Sequence, residues 1–332
     1  MSKGSKTSKM TQPPQPGKPV DFSSIAEKHW TPERITKITS GRKYEIVPPG
    51  DAPFLRAIGL LASDASMPAD AVRKYVQINH MLGLVKAPLM DLHQRHKSLA
   101  ILDAGCGSSF LTFLVAWYLK HKVDLEFGDF LCVGIDTNKA LIEKSRALAD
   151  KLGLQKHMHF EVASTRDFTW ENLLERRPAL APFKRPQMVV ALHACDTATD
   201  EALGFGIAAG ADVLAASPCC QAELAAIWRE LAQTPEGRAH PMAPAFQAPE
   251  LRRTIAAEMT DMLRVMLLRT AGYETTATEF VESRHSPKNR LILAIKRGRY
   301  SMDAAESYQK LKAHLGGCAI RLESFISFDG VL

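Results

Sequence analysis

The chain has 332 residues, 46% of them hydrophobic, with six cysteines and a formal net charge of +6. That length holds one large domain or two small ones, and the apolar content is ordinary for a globular protein, so a core forms without disulfides or metals. The longest apolar stretch, Phe110 to Leu119 with Thr112 inside it, is far short of a membrane span, and MSKGSKTSKM at the start lacks the apolar run of a secretory leader. Lys3, Lys6, Lys9 and Lys18 carry most of the excess charge and leave the rest at only about +2, which permits an anionic partner without demanding one. The cysteines show neither a secretory context nor zinc-finger spacing, and read as reduced thiols of a cytoplasmic protein.

Residues 1–20 form a basic tail of Ser, Lys, Gln, Pro and Gly with almost nothing to bury, and disorder is expected there. Residues 21–95 read as a mainly helical extension. Within it, two alternating runs around Ser40-Gly41, between Ile35 and Pro49, predict a hairpin. Pro53 to Leu61 and Ala69 to Leu84 predict helices, the second opening after Met67-Pro68. On that second helix Val72, Val76 and Leu82 suit a buried face, while Arg73, Lys74, Gln77 and His80 share another. The polar face is either solvated or a strip that covers a cofactor or touches an anionic substrate.

An α/β region spans 96–299. Its strands are predicted at Leu99–Asp103, Leu131–Asp136, His157–Val162, Gln187–Leu192 and Ala211–Ala216, with a helix at Lys139–Leu152 and further helices between the strands. The fourth and fifth runs are continuously apolar, as central parallel strands covered on both faces are. The alternation argues for a doubly wound sheet with ligands at the carboxyl ends of its strands. Gln233 to Pro249, with four prolines, predicts a long loop suited to recognising a substrate. Glu250–Thr270 is an amphipathic helix. Tyr273–Glu282 and Leu291–Ile295, joined by Ser286 to Asn289, predict an antiparallel closing pair. Residues 300–332 supply a peripheral helix, Ala304–Leu315, and a tail.

The chemistry concentrates at strand ends. After Leu99–Asp103 comes Gly105-Cys106-Gly107-Ser108-Ser109-Phe110, a glycine turn that lets a ligand approach the main chain and opens a helix whose first N–H groups are left to meet it. A dinucleotide fingerprint needs a third glycine, and Phe110 follows instead. Asp103-x-Gly105-x-Gly107 resembles motif I of the class I S-adenosylmethionine-dependent methyltransferases. Asp136, ending the second strand, sits where a carboxylate accepts both ribose hydroxyls of an adenosine. The resemblance implies a Rossmann-like, seven-stranded α/β sheet with an antiparallel last strand, carrying an N-terminal helical extension. It implies S-adenosylmethionine as cofactor, held by Asp103, Gly105, Cys106, Gly107, Asp136 and Thr137, by Thr165 and Asp167 after the third strand, and by Leu192 and His193.

The other two tips sharpen the resemblance. Leu192-His193-Ala194-Cys195-Asp196-Thr197-Ala198-Thr199-Asp200 and Ser217-Pro218-Cys219-Cys220 look like a methyltransferase family that includes the glutathione S-transferase C-terminal-domain-containing protein and methyltransferase-like relatives. They are also similar to the tRNA 2′-O-methyltransferase of the acceptor stem. Two departures stand out: Asp196 where that pattern has glycine, and Gln221-Ala222 where the tRNA enzymes carry histidines. The implied reaction is in-line displacement on a sulfonium methyl, with His193, Cys195, Asp196 and Cys219 on the acceptor side beside Pro218, and His193 or Asp196 as a general base. Three other readings of the cysteines stay open: covalent attack on an RNA base by Cys195 or Cys219, a zinc site of His193, Cys195, Cys219 and Cys220, and simple packing. The acceptor is expected to be RNA, tRNA or rRNA. Arg284, Lys288, Arg290, Lys296, Arg297 and Arg299 form either a phosphate-contacting rim or a solvated face. The alternatives are a protein or small-molecule acceptor, a non-catalytic protein of the same fold that binds the cofactor or nucleic acid, and a nucleotide-dependent oxidoreductase. No membrane association is expected and no partner protein is identifiable.

Overall fold

The computed structural model describes residues 21–123, 128–192, 194–279 and 290–328. Four helices come first: α1 (Phe22–His29), α2 (Pro32–Thr39), α3 (Pro48–Ala57) and α4 (Ala69–Arg95). The hairpin expected between Ile35 and Pro49 is not there. Thr31 caps α2 by accepting from the Arg34 N–H and Pro32 occupies its first turn, so Ile35 and Ile38, three apart, share a face against the core. Ser40 (φ 52°) and Gly41 (φ 73°) end that helix in left-handed geometry, with the Gly41 N–H bonded to the Thr36 carbonyl. Helix α3 starts at Pro48 rather than Pro53. Helix α4 runs eleven residues beyond Leu84 because Val85, Leu89 and Leu92, all fully buried, continue its apolar stripe through Pro88.

The sheet is built from β1 (Ser98–Ala104), β2 (Asp129–Asp136), β3 (Met158–Val162), β4 (Met188–Leu192), β5 (Val213–Ser217), β6 (Tyr273–Glu279) and β7 (Arg290–Lys296). Its order is β3-β2-β1-β4-β5-β7-β6, and β7 runs antiparallel to both neighbours. This is the Rossmann-like, doubly wound arrangement of the class I methyltransferase fold. The joining segment 280–289, including Arg284, the predicted turn and Lys288, lies outside the described residues, as does the 1–20 tail.

Side chains of β1 alternate between two cores. Leu99 and Ile101 enter one core together with α1 to α4, α5 (Phe110–Lys122) and α6 (Lys139–Lys151). Ala100, Leu102 and Ala104 enter the other, with α7 (Trp170–Arg176), α8 (Thr197–Ala208) and α9 (Glu223–Leu231), and, beyond the short α10 (Pro235–Ala239), α11 (Ala243–Gln247), α12 (Pro249–Thr270) and α13 (Met302–His314). The N-terminal helices therefore cover one face of the sheet. The proline-rich stretch 233–249 is not an open loop. Thr234 caps α10 and Pro235 and Pro244 lie in the first turns of α10 and α11, while Phe246 packs against Trp228 with ring centroids 5.0 Å apart. Among the described residues no helix is long and apolar enough to cross a membrane.

A buried ion network ties the second core to the strand tips. The Arg264 side chain of α12 is 0% exposed. It donates to Asp200 of α8 (2.6 and 3.1 Å), to Asp261 (3.1 Å) and to the Asp196 carbonyl (3.0 Å). Arg290 reaches Asp261 from β7 at 2.8 Å and Glu258 at 2.7 Å. Removing the central cation strands the buried Asp200 carboxylate, while Asp261 keeps Arg290, and breaking a buried pair in this way costs about 3–5 kcal/mol. Arg264→Leu is therefore expected to lower urea stability by about that much, whereas Arg290→Leu, which leaves Asp261 paired to Arg264, costs less. Equal urea midpoints for Arg264→Leu and the parent would show that the network contributes nothing to stability.

Candidate active site

Parallel register sets the site. Asp103 of β1 stands opposite Val190 of β4, and Leu192 opposite Ser217 of β5, so the ends of β1, β4 and β5 lie side by side. Gly105 (φ 73°) and Gly107 (φ 53°) form the turn after β1, and no atom lies within 4 Å of where a Cβ would stand at either. Glycine meets the positive φ and leaves that side of the turn open. The turn's own N–H groups are committed: Gly105 and Cys106 both donate to the Ile135 carbonyl at 2.9 Å, and Gly107 donates to Asp136 Oδ2 at 2.9 Å. Asp136 Oδ1 accepts from the Asn138 N–H at 2.8 Å. The Asp136 carboxylate thus joins two strand tips and keeps a second lone pair on each oxygen.

Asp103 is different. It is 2% exposed; Thr112 Oγ1 of α5 donates to its Oδ2 at 2.5 Å, and its Oδ1 has no hydrogen-bond partner among the described residues. Burial pushes its carboxyl up to about 7, against the Thr112 hydrogen bond and with the Asp136 charge adding to the rise. Thr112 was legible as a polar residue inside the apolar stretch Phe110 to Leu119, though not as the residue that holds Asp103.

Cys106 contributes backbone and packing. A Cβ on Gly134 of β2 would come 3.0 Å from its Sγ and 2.7 Å from the Phe160 ring, so the glycine makes room for both. Burial holds the Cys106 thiol well above its usual range. Thr137 is exposed just past β2, and Thr165 is half-buried in the turn after β3. That turn is closed by Ser164 Oγ donating to Asp167 Oδ2 at 2.5 Å. Asp167, Ser164, Phe168 and Arg146 line a cavity of about 530 Å³ beside β3.

Leu192 ends β4, and His193 lies outside the described residues. Asp196 has φ 49° and ψ −120°, which accounts for the glycine expected there. Its Oδ1 accepts from the Ala222 and Glu223 N–H groups at 2.8 and 3.1 Å, at the start of α9, and its N–H donates to the Cys220 carbonyl at 3.2 Å. The carboxylate is engaged in fastening the β5 tip to the β4 tip. Arg264, which holds the Asp196 carbonyl, was not singled out from sequence. Its signal was a lone cation on the buried face of α12.

Cys195, Cys219 and Cys220 converge here, with Sγ–Sγ distances of 3.0 Å (195–219), 3.8 Å (219–220) and 3.9 Å (195–220). Burial, and then the neighbouring thiols, push Cys219 up to about 12. From α4, Lys74 Nζ lies 5.4 Å from the centroid of the Phe110 ring at the start of α5, whereas His80 turns away to Tyr44 (2.8 Å). In the described part of the basic run Arg290, Lys296 and Arg297 are bonded and Arg299 is exposed. Arg290 pairs with Asp261 and Glu258, Arg297 with Glu274 at 2.7 Å, and Lys296 donates to the Ala271 carbonyl.

A family model described as a methyltransferase domain matches residues 73–227. No curated protein matches the chain. Among solved structures it is similar to a human methyltransferase 10 domain containing protein (9% identity over 80% of this chain and 98% of that one, TM-score 0.40). It is similar also to geranyl diphosphate C-methyltransferase from Streptomyces coelicolor A3(2) (14%, 86% and 100%, TM-score 0.36) and to TrmN from Thermus thermophilus (12%, 76% and 54%, TM-score 0.35). These likenesses are remote, and nothing about the acceptor is taken from them. The chain is an S-adenosylmethionine-dependent methyltransferase, its methyltransferase domain matched over 73–227 and its sheet ordered as in the class I fold.

Proposed function

We propose that the cofactor lies across the tips of β1 and β2, with the acceptor at the tips of β4 and β5, and that the acceptor is RNA. The observation that carries the cofactor side is the partnerless Oδ1 of Asp103, a buried carboxylate oxygen beside an open glycine turn. S-adenosylmethionine is cationic at its sulfonium and amino groups and supplies a methyl already activated for displacement. A half-satisfied buried carboxylate suits that charge, and a cationic partner would draw its proton off. The spare lone pairs of Asp136 suit ribose hydroxyls. Thr137, Thr165, Asp167, Leu192 and His193 belong to the same wall in this reading. The RNA acceptor is supported by the resemblance of the β4 and β5 tips to tRNA-modifying enzymes and by exposed Arg73 and Lys74 on α4, the latter near the glycine turn. The enzyme works in the cytoplasm in this reading.

Catalysis on this view is chiefly alignment with exclusion of water. The fastened β4 and β5 tips hold the acceptor in line. Proton removal falls to His193, since the Asp196 carboxylate serves two backbone donors. Burial and the neighbouring thiols raise Cys219, so it is not the attacking nucleophile in this reading.

The deciding experiment offers methyl-labelled cofactor to separate pools of unmodified RNA and protein. Label is expected in RNA and is expected to disappear with Asp136→Ala, whose cofactor affinity should fall about 10- to 100-fold with the loss of hydrogen bonds to a charged group. Label only in protein, or unchanged affinity in the variant, would overturn the acceptor and the assignment of Asp136 respectively.

Asp103 gives a separate pH test. Its folded-state value, about 7, lies above the ordinary 3.8, so the native apoprotein keeps a proton that the unfolded chain has already lost. Stability of the apoprotein therefore declines from about pH 4 to pH 7 through this group. The thermal shift produced by the cofactor should grow over pH 6 to 8 as the carboxylate gains its cationic partner. In Asp103→Asn that growth should vanish. The same slope in both proteins would remove Asp103 from the cofactor site.

A further inference from the structure

We propose that Cys195, Cys219 and Cys220 form a thiolate site for one zinc ion across the joined tips of β4 and β5. Adjacent residues on an extended chain point to opposite sides, so a Cys-Cys pair does not ordinarily face one ion. Here the pair lies just beyond β5, and its two Sγ atoms stand 3.8 Å apart with Cys195 completing the triangle at 3.0 and 3.9 Å. All three sulfurs lie within 4.8 Å of one another. Thiolates on a tetrahedral zinc at about 2.3 Å are separated by about 3.8 Å. Two edges of the triangle already match that spacing, and the third needs to open by about 0.8 Å for an ion of that radius.

The backbone under the sulfurs is fixed without any metal. The Asp196 N–H holds the Cys220 carbonyl, the Asp196 carboxylate holds the two N–H groups at Ala222 and Glu223, and buried Arg264 holds the Asp196 carbonyl. The loops carrying the three thiols are thereby clamped to each other, as the supporting layer of a metal site is. Sulfur donors select zinc over calcium or magnesium. Cys195 is exposed and the other two are half-buried, so an ion can reach the cluster from solvent. Each cysteine loses its proton on binding the ion. None of this depends on the methyl-transfer reading.

The test uses the full chain, reduced, stripped with a chelator and titrated anaerobically with Co²⁺ as a spectroscopic stand-in. A thiolate-to-cobalt charge-transfer band that saturates at one equivalent and is abolished by added Zn²⁺ is expected. Cys195→Ser, at an exposed position, should weaken Co²⁺ binding at least tenfold, as should Cys219→Ser, with unchanged circular dichroism, while Cys318→Ser leaves it intact. No band in the folded parent, an undiminished band in Cys195→Ser, or a bound ion that Zn²⁺ fails to displace would each overturn the proposal.

Discussion

One buried cation fixes the tips of β4 and β5. A guanidinium removed from water is tolerated only when it is paired and hydrogen-bonded, because the desolvation cost is several kcal/mol per ion. Arg264 meets that condition with four bonds to Asp200, Asp261 and the Asp196 carbonyl, three groups from α8, α12 and the β4 tip. The arrangement leaves the tip little freedom. Asp196 itself holds an unfavourable backbone conformation, which costs on the order of 1–3 kcal/mol for a residue other than glycine. Glycine would avoid that cost but could not bond the Ala222 and Glu223 N–H groups. The departure from the family pattern at this position exchanges conformational ease for a tie between two strand tips.

The tips of β1 and β2 follow the opposite logic. Asp136 and Asp103 end adjacent strands, yet Asp136 is half-exposed with both oxygens serving backbone donors, and Asp103 is buried with one oxygen serving nothing. The first ties two strand tips and keeps a lone pair on each oxygen for a ligand. The second is raised to about 7 by burial and has an oxygen that a ligand can still engage. Unsatisfied buried polar groups are rare enough in folded proteins that one beside an open glycine turn argues for a site.

The sheet was readable because its signals are local: continuous apolar runs for β4 and β5, the glycine turn after β1, and a closing antiparallel pair. What was unreadable depended on distant partners or on backbone angles. Ile35 and Ile38 fit a strand or a helix equally until the Thr31 cap and the left-handed Ser40-Gly41 ending decide between them. Prolines at 235 and 244 suggested a loop but start short helices, since proline suits a first turn. The basic run suggested a rim because its acids, Glu258, Asp261 and Glu274, lie elsewhere in the chain. Asp196 read as a base because a sequence displays a carboxylate but not the two amides that occupy it.

Both pairs of tips are held by parallel register rather than by contact with each other. With Asp103 level with Val190, and Leu192 with Ser217, the carboxyl ends of β1, β4 and β5 are fixed by the main-chain ladder. A methyl transfer needs its reacting atoms in line to within a fraction of an ångström, and a pair of rigid tips on one sheet meets that need without a closing motion. Rigidity has a consequence for the acceptor. The tips cannot rearrange around it, because Arg264 and Asp196 bind them together, so the acceptor must enter in the orientation it will react in. Lys74 of α4 lies over Phe110, the first residue of the helix that follows the glycine turn, while α4 packs in the core with Leu99 and Ile101. The N-terminal helices thus do more than cover the sheet: they carry a cation to the edge of the β1 tip.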